Sequence, residues 1–132
     1  MIQVPIQIRF NDMDPMKRVN NASYSAYLEI ARLEFCKKYL KIETLEDIPF
    51  VLARVEMDLI SSIVPGDEID VLIWVSRIGN TSWDFGYEIW NEARSVSHAK
   101  AKTVQVYFDY REGKKKEIPI LFREYLNAEY RS

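Results

Sequence analysis

The chain has 132 residues and a net charge of −2, so it carries no electrostatic footprint for nucleic acid. Its length suits one domain, and a hydrophobic content of 48% supplies a core without staples. The single cysteine, Cys36, excludes an intrachain disulfide and fits a reducing compartment.

The elements follow in chain order. Ile2, Val4, Ile6, Ile8 and Phe10 alternate with Gln3, Pro5, Gln7 and Arg9, which predicts a strand with one wet face. Pro5 cannot donate to a ladder, so this strand has an exposed edge or begins regular pairing after it. Asn11 to Val19 holds two aspartates, a proline and two basic residues and reads as a loop. Tyr24, Tyr27, Leu28, Ala31 and Phe35 then keep helical spacing. Ile30, Leu33 and Leu40 widen that apolar face, so the helix is expected to be covered on more than one side. Asn20 or Asn21 would cap it. Lys37, Lys38 and Lys41 gather at its end, where the dipole favours cations.

The remainder reads mainly as strands. Ala53, Val55, Met57 and Leu59 form one alternating run, and Ile69, Val71, Ile73 and Val75 the next. Trp83, Phe85, Tyr87 and Ile89 form a third. Turns fall at Pro65-Gly66-Asp67, Gly79-Asn80 and Asn91 to Ser95. Val96 to Asp109 is a long strand in which the small residues Ala99, Ala101 and Thr103 share a face and would let a helix lie close. Lys114 to Lys116 reads as a solvated turn, and Pro119 suits the first turn of a short terminal helix. Short connections imply antiparallel neighbours. One broadly apolar helix beside one such sheet predicts an α+β domain spanning residues 1–132, with the sheet wrapped around the helix.

The stretch from Arg9 to Arg32 carries the chemistry. It resembles the hotdog-fold thioesterases of the 4-hydroxybenzoyl-CoA thioesterase type, whose usual pattern is Asp-x-Asp-x-x-Gly-His-Val-Asn-Asn-x-x-Tyr before a helix with Glu and Ala-Arg. Asp12, Asp14, Val19, Asn20, Asn21, Tyr24, Glu29, Ala31 and Arg32 match it. Gly79-Asn80-Thr81-Ser82 is similar to the family's Gly-x-x-Ser turn. The family's Gly-His pair is Lys17-Arg18 here, and the one histidine, His98, lies in a late strand.

The resemblance implies hydrolysis of an acyl thioester. Asp14 would be the catalytic carboxylate and the Asn21 backbone N–H the oxyanion donor. Asn20, Tyr24, Tyr27 and Ser82 would contact substrate. No cofactor is implied beyond the coenzyme A of the substrate itself. The implied assembly is a homodimer or homotetramer with the site between subunits. The physical case for Asp14 agrees with this. A carboxylate just before a helix N-terminus sits beside unpaired N–H groups that can hold a developing oxyanion. A thiol leaves as its anion at a pKa near ~8.5, so one carboxylate acting as base or nucleophile is enough.

Other residues have plainer readings. Asp12 would be structural, holding the loop or Arg18. Glu29 and Arg32 are spaced as a helix-face ion pair. Cys36 reads as a small core residue, and His98 as structural or exposed. One Cys and one His cannot build a common zinc site, and Asn11 to Asp14 lacks the glycine and terminal Glu of a calcium loop. Arg77, Arg94, Arg111 and Lys114 could serve coenzyme A phosphates or an acidic carrier protein. Two rival functions follow: an acyl-carrier-protein thioesterase, and a module that binds acyl thioesters without cleaving them. The opening residues Met1 to Pro5 lack a signal-peptide pattern, and no apolar run approaches a membrane span, so a cytoplasmic location is expected.

Overall fold

In the computed structural model, which describes residues 1–131, one long helix lies against a single curled antiparallel sheet. The elements run β1 (Ile2–Ile6), α1 (Asn21–Tyr39), β2 (Phe50–Leu59), β3 (Ile69–Ile78), β4 (Ser82–Asn91), β5 (Val96–Asp109), β6 (Lys114–Lys115) and α2 (Ile120–Ala128). The sheet order is β1-β3-β4-β5-β2, with β6 pairing only β5. β1 is an edge strand, which is where Pro5 can sit opposite Asp70 with no partner on its far side. The helix begins at its capping residue Asn20 as the sequence predicts. α2 follows Pro119, which stands one residue outside the first turn.

Cross-strand register fixes which side chains face α1. Ile73, Tyr87 and Ala101 lie in one row across β3, β4 and β5, and Met57 continues it on β2. These inner rows meet Tyr27, Leu28, Ala31 and Phe35 of α1, all essentially buried. Burying a side chain the size of Leu28 or Phe35 stabilises the fold by about 1.5–3 kcal/mol. On the outer face Trp74 lies flat over Gly86, where an added Cβ would come within 2.6 Å of the indole. Trp83 points inward and is fully buried, so aromatic residues do occupy both faces.

Three expectations change. The main contacts of α1 fall on β3 and β1, not on the small residues of β5. Thr103 of that set instead bonds the Tyr87 hydroxyl at 2.5 Å. Glu29 and Arg32 do not pair among the described residues, because Arg32 turns inward and donates to the Tyr87 hydroxyl at 3.3 Å. The second side of α1 is open, with Ile30 40% exposed. The alternating face of β2 is open too: Val55 and Leu59 are 45% and 49% exposed although they face inward. Among the described residues no helix is long and apolar enough to cross a membrane.

Candidate active site

Ahead of α1 the chain folds back on itself. Met13 and Val19 form an antiparallel bridge. Within it the Asp14 N–H donates to the Arg18 carbonyl at 2.8 Å, and the Lys17 N–H donates to the Asp14 carbonyl at 3.0 Å. Closing so short a loop needs one left-handed residue, and Lys17 adopts it at φ 58°. The position where the family pattern carries glycine therefore keeps a glycine-like backbone with a lysine side chain.

Asp14 is half-buried in this loop. Its Oδ1 accepts from the backbone N–H of Met16 at 2.9 Å and of Arg18 at 3.3 Å. Its Oδ2 has no partner among the described residues, so one oxygen is anchored and the other is open. The next helix starts within a few residues. Asn20 Oδ1 accepts from the Ser23 N–H at 3.0 Å, and the Asn20 N–H donates to the Asp12 carbonyl at 2.8 Å. The cap therefore satisfies the third helical N–H. Those of Asn21 and Ala22 have no intrahelical acceptor and carry the positive end of the dipole.

A cavity of about 270 Å³ joins Asp14, Arg18, Asn21, Tyr24, Ser61 and Ser62. A second, larger groove of about 1110 Å³ also reaches Asp14, along the apolar side chains of Ile6, Ile8, Phe10, Met13 and Ile69. Phe10 stands at its wall 92% exposed. Asp14 thus borders a small polar chamber and a large apolar one. Tyr24 is buried beneath the small chamber. Burial pushes its hydroxyl up, and the Ile63 backbone, which faces it, pulls the other way.

Asp12 supports the loop rather than the chemistry. It accepts from the Arg9 N–H at 2.8 Å and the Tyr27 hydroxyl at 2.8 Å, with Ser23 Oγ at 3.4 Å. Burial alone would raise its pKa. The Arg9 N–H, the Tyr27 hydroxyl, the Arg9 charge and Ser23 outweigh burial and hold it below the ordinary value. Asp12 is structural as expected, but its cation is Arg9 and not Arg18.

The expected site residues divide. Asp14, Asn21 and Tyr24 come together. Asn20 adjoins them as the helix cap, its side-chain oxygen already engaged. Tyr27 is fully buried and its hydroxyl donates to Asp12; burial, and then Asp12, drive its pKa strongly upward, and it lines neither cavity. Ser82 is not brought to either cavity within the chain. It opens β4 at the end opposite the cleft, roughly 30 Å away at the rise of a strand, and accepts from Arg77 at 2.9 Å. The four proposed phosphate-binding cations are also dispersed. Arg94 pairs Asp67 near the cleft, whereas Arg77 pairs Asp84, and Arg111 and Lys114 follow β5 at the far end. The sequence reading missed Arg18, Ser61 and Ser62. The two serines come after the alternation of β2 has ended, and no periodicity marks them. No group of three His, Cys, Asp or Glu side chains suited to a metal occurs among the described residues.

One long helix against a curled antiparallel sheet, with Asp14 just ahead of the helix N-terminus, defines a class of α+β proteins. Residues 8–126 match the sequence model of the thioesterase-like superfamily, and the chain belongs to that superfamily. Among solved structures it is similar to a thioesterase from Thermus thermophilus complexed with coenzyme A and Zn. That similarity is 31% identity over 96% of this chain and 91% of the other, with a TM-score of 0.85. A predicted thioesterase from Bacillus stearothermophilus shares 26% identity over 98% and 96% of the two chains, at a TM-score of 0.90. A 1,4-dihydroxy-2-naphthoyl-CoA thioesterase from Synechocystis shares the fold at 17% identity over 95% and 94%, with a TM-score of 0.84. A comparison with curated protein sequences found no match.

Proposed function

We propose that the chain is a hotdog-fold acyl-CoA thioesterase in which Asp14 is the catalytic carboxylate. The observation that carries this is the shared small cavity, which is lined by both Asp14 and Asn21, the first helical residue of α1. The thioester carbonyl oxygen points at the Asn21 and Ala22 N–H groups, which stabilise the negative charge that develops on it. Asp14 Oδ2 takes a proton from water as the water oxygen bonds to the carbonyl carbon, or attacks that carbon itself. The tetrahedral adduct then collapses, the carbon–sulfur bond breaks and coenzyme A leaves as its thiolate; on the nucleophilic route water then hydrolyses the acyl-aspartyl anhydride to the free acid and the Asp14 carboxylate. The apolar groove beside Asp14 is suited to the acyl portion.

Two further points support this reading. The neighbour complexed with coenzyme A, at 31% identity, supports a coenzyme A ester over a carrier-protein substrate. An open carboxylate oxygen beside unpaired N–H groups favours turnover over passive binding. A homodimer completes the site, because the open inner face of β2 reaches the cavity through Leu59 and Ile60. The buried free thiol of Cys36 accords with a cytoplasmic setting.

The test is thiol release from short, long and aromatic acyl-CoAs by the wild type and a folded Asp14→Asn variant. Removing the carboxylate is expected to lower kcat by roughly 10²–10⁴-fold. Undiminished turnover in that variant would move the site away from Asp14. Binding of every ester with no release by the wild type would leave only the binding module.

A further inference from the structure

The wall facing Asp14 is an irregular segment, Ile60 to Ser62, between β2 and the turn before β3. Such a segment has no ladder of its own, yet it is fastened at both ends. At its far end the Val19 N–H donates to the Ile63 carbonyl at 3.0 Å, and Ile63 is fully buried. At its near end a single residue of β5 does the fastening. The His98 carbonyl accepts from the N–H of Ile60 at 2.9 Å and of Ser61 at 3.2 Å. The His98 ring closes the same link from the other direction, with Nδ1 3.0 Å from the Ser61 carbonyl.

A carbonyl only accepts, so Nδ1 carries the proton and donates. Nε2 then accepts from Asn91 Nδ2 at 3.3 Å. His98 and Asn91 are both buried, so neither bond exchanges readily with water. Asp67 closes the cluster. Its Oδ2 lies 3.9 Å from Nε2, accepts from the Val64 N–H at 2.9 Å and is paired to Arg94 at 2.8 Å. The sheet thus reaches through one histidine to fix the near end of the loop at Ser61.

We propose that His98 is a positioning residue for hydrolysis: it holds Ser61 and Ser62 so that the serine wall orients water and thioester against Asp14. Ser62 is exposed and its hydroxyl bonds no described residue, so it is available to the chamber. This rests on the thioesterase reading. It assigns a role to the one histidine, which lies outside the motif, and to two serines that the motif does not contain. Errors of about 1 Å in the placement of such a wall cost on the order of 100-fold in rate.

The experiment compares His98→Phe, His98→Asn and Ser62→Ala with the wild type, on an acyl-CoA that the wild type hydrolyses and Asp14→Asn does not. His98→Phe keeps the ring volume and removes the donor. It is expected to lower kcat roughly 10- to 100-fold with KM little changed. His98→Asn places an amide N–H near the Nδ1 position and is expected to recover most of the loss. Ser62→Ala, at an exposed position that folding does not need, is expected to lower kcat about 10-fold. A folded His98→Phe with wild-type kcat, or equal losses in His98→Phe and His98→Asn, would overturn the proposal. Wild-type kcat in Ser62→Ala overturns the serine wall even where His98→Phe fails to fold. If the wild type releases no thiol from any ester, the thioesterase reading fails on its own. The lock is then read by amide hydrogen exchange at Ile60 and Ser61, where unchanged protection in His98→Asn and faster exchange in His98→Phe are expected. Equal protection in His98→Phe and the wild type would refute the lock itself.

Discussion

At the scale of single residues the loop around Asp14 depends on one strained backbone. Lys17 holds φ 58°, a conformation that costs an L-residue roughly 1–2 kcal/mol and glycine none. Glycine gives back about 0.5–1 kcal/mol through the freedom of its unfolded chain. Lys17→Gly is therefore expected to stabilise the protein by about 0.5–1 kcal/mol, with the loop and kcat unchanged. Urea unfolding measures it, and a loss of stability would show that the lysine side chain makes a contact worth more than the strain. Cys36 makes a second test at this scale. It is wholly buried, and burial pushes its thiol up to about 11, with Arg32 opposing. A thiol reagent should leave the native protein unmodified and label it once after unfolding, whereas rapid native labelling would mean that the core opens readily around α1.

At the scale of elements, the loop and the helix are joined through Asp12. Its carboxylate draws together Arg9 before the loop and Tyr27 in the second turn of α1. Its folded pKa lies below the ordinary 3.8, so its stabilisation is complete above that value and is lost as pH falls through the folded pKa. Tyr27→Phe should cost about 1.5–3 kcal/mol near neutral pH, and that difference should shrink as acid protonates Asp12. Denaturation at neutral and acid pH would decide it, since a penalty independent of pH would place the hydroxyl's role elsewhere. The same link explains what the sequence could show. The spacing of Tyr24, Tyr27, Leu28 and Ala31 marks the helix, and alternation marks β3, β4 and β5. These are local periodicities of backbone geometry. That Tyr27 turns to Asp12, or that Ser82 stands at the end of β4 away from Asp14, depends on how elements are placed in space. The place of His98 is hidden for the same reason. Its partners Ser61 and Asp67 lie in the connection between β2 and β3, whereas Asn91 ends β4, and no spacing within one element brings them together.

At the scale of the whole molecule, the sheet is incomplete on one side. β2 pairs β5 along one edge and has no partner along the other among the described residues. Its inward side chains Leu52, Val55 and Leu59 are 45%, 45% and 49% exposed, and Ile30 on α1 is 40% exposed. A ten-residue open edge with an apolar inner face invites edge-to-edge association unless a specific partner covers it. A second copy satisfies this by two-fold symmetry, since β2 can pair with its own equivalent and each copy's open face then meets the other. The consequence reaches the chemistry, because Leu59 and Ile60 also wall the chamber that holds Asp14. The wild type is therefore expected to be a dimer or a tetramer of dimers at micromolar concentration by light scattering. Leu52→Asp combined with Val55→Asp should drive it to monomers and lower kcat by at least about 10-fold, because the chamber then loses one of its supports. A wild type that is monomeric and fully active would mean that one chain completes its own site, and that the exposed face of β2 awaits a different partner.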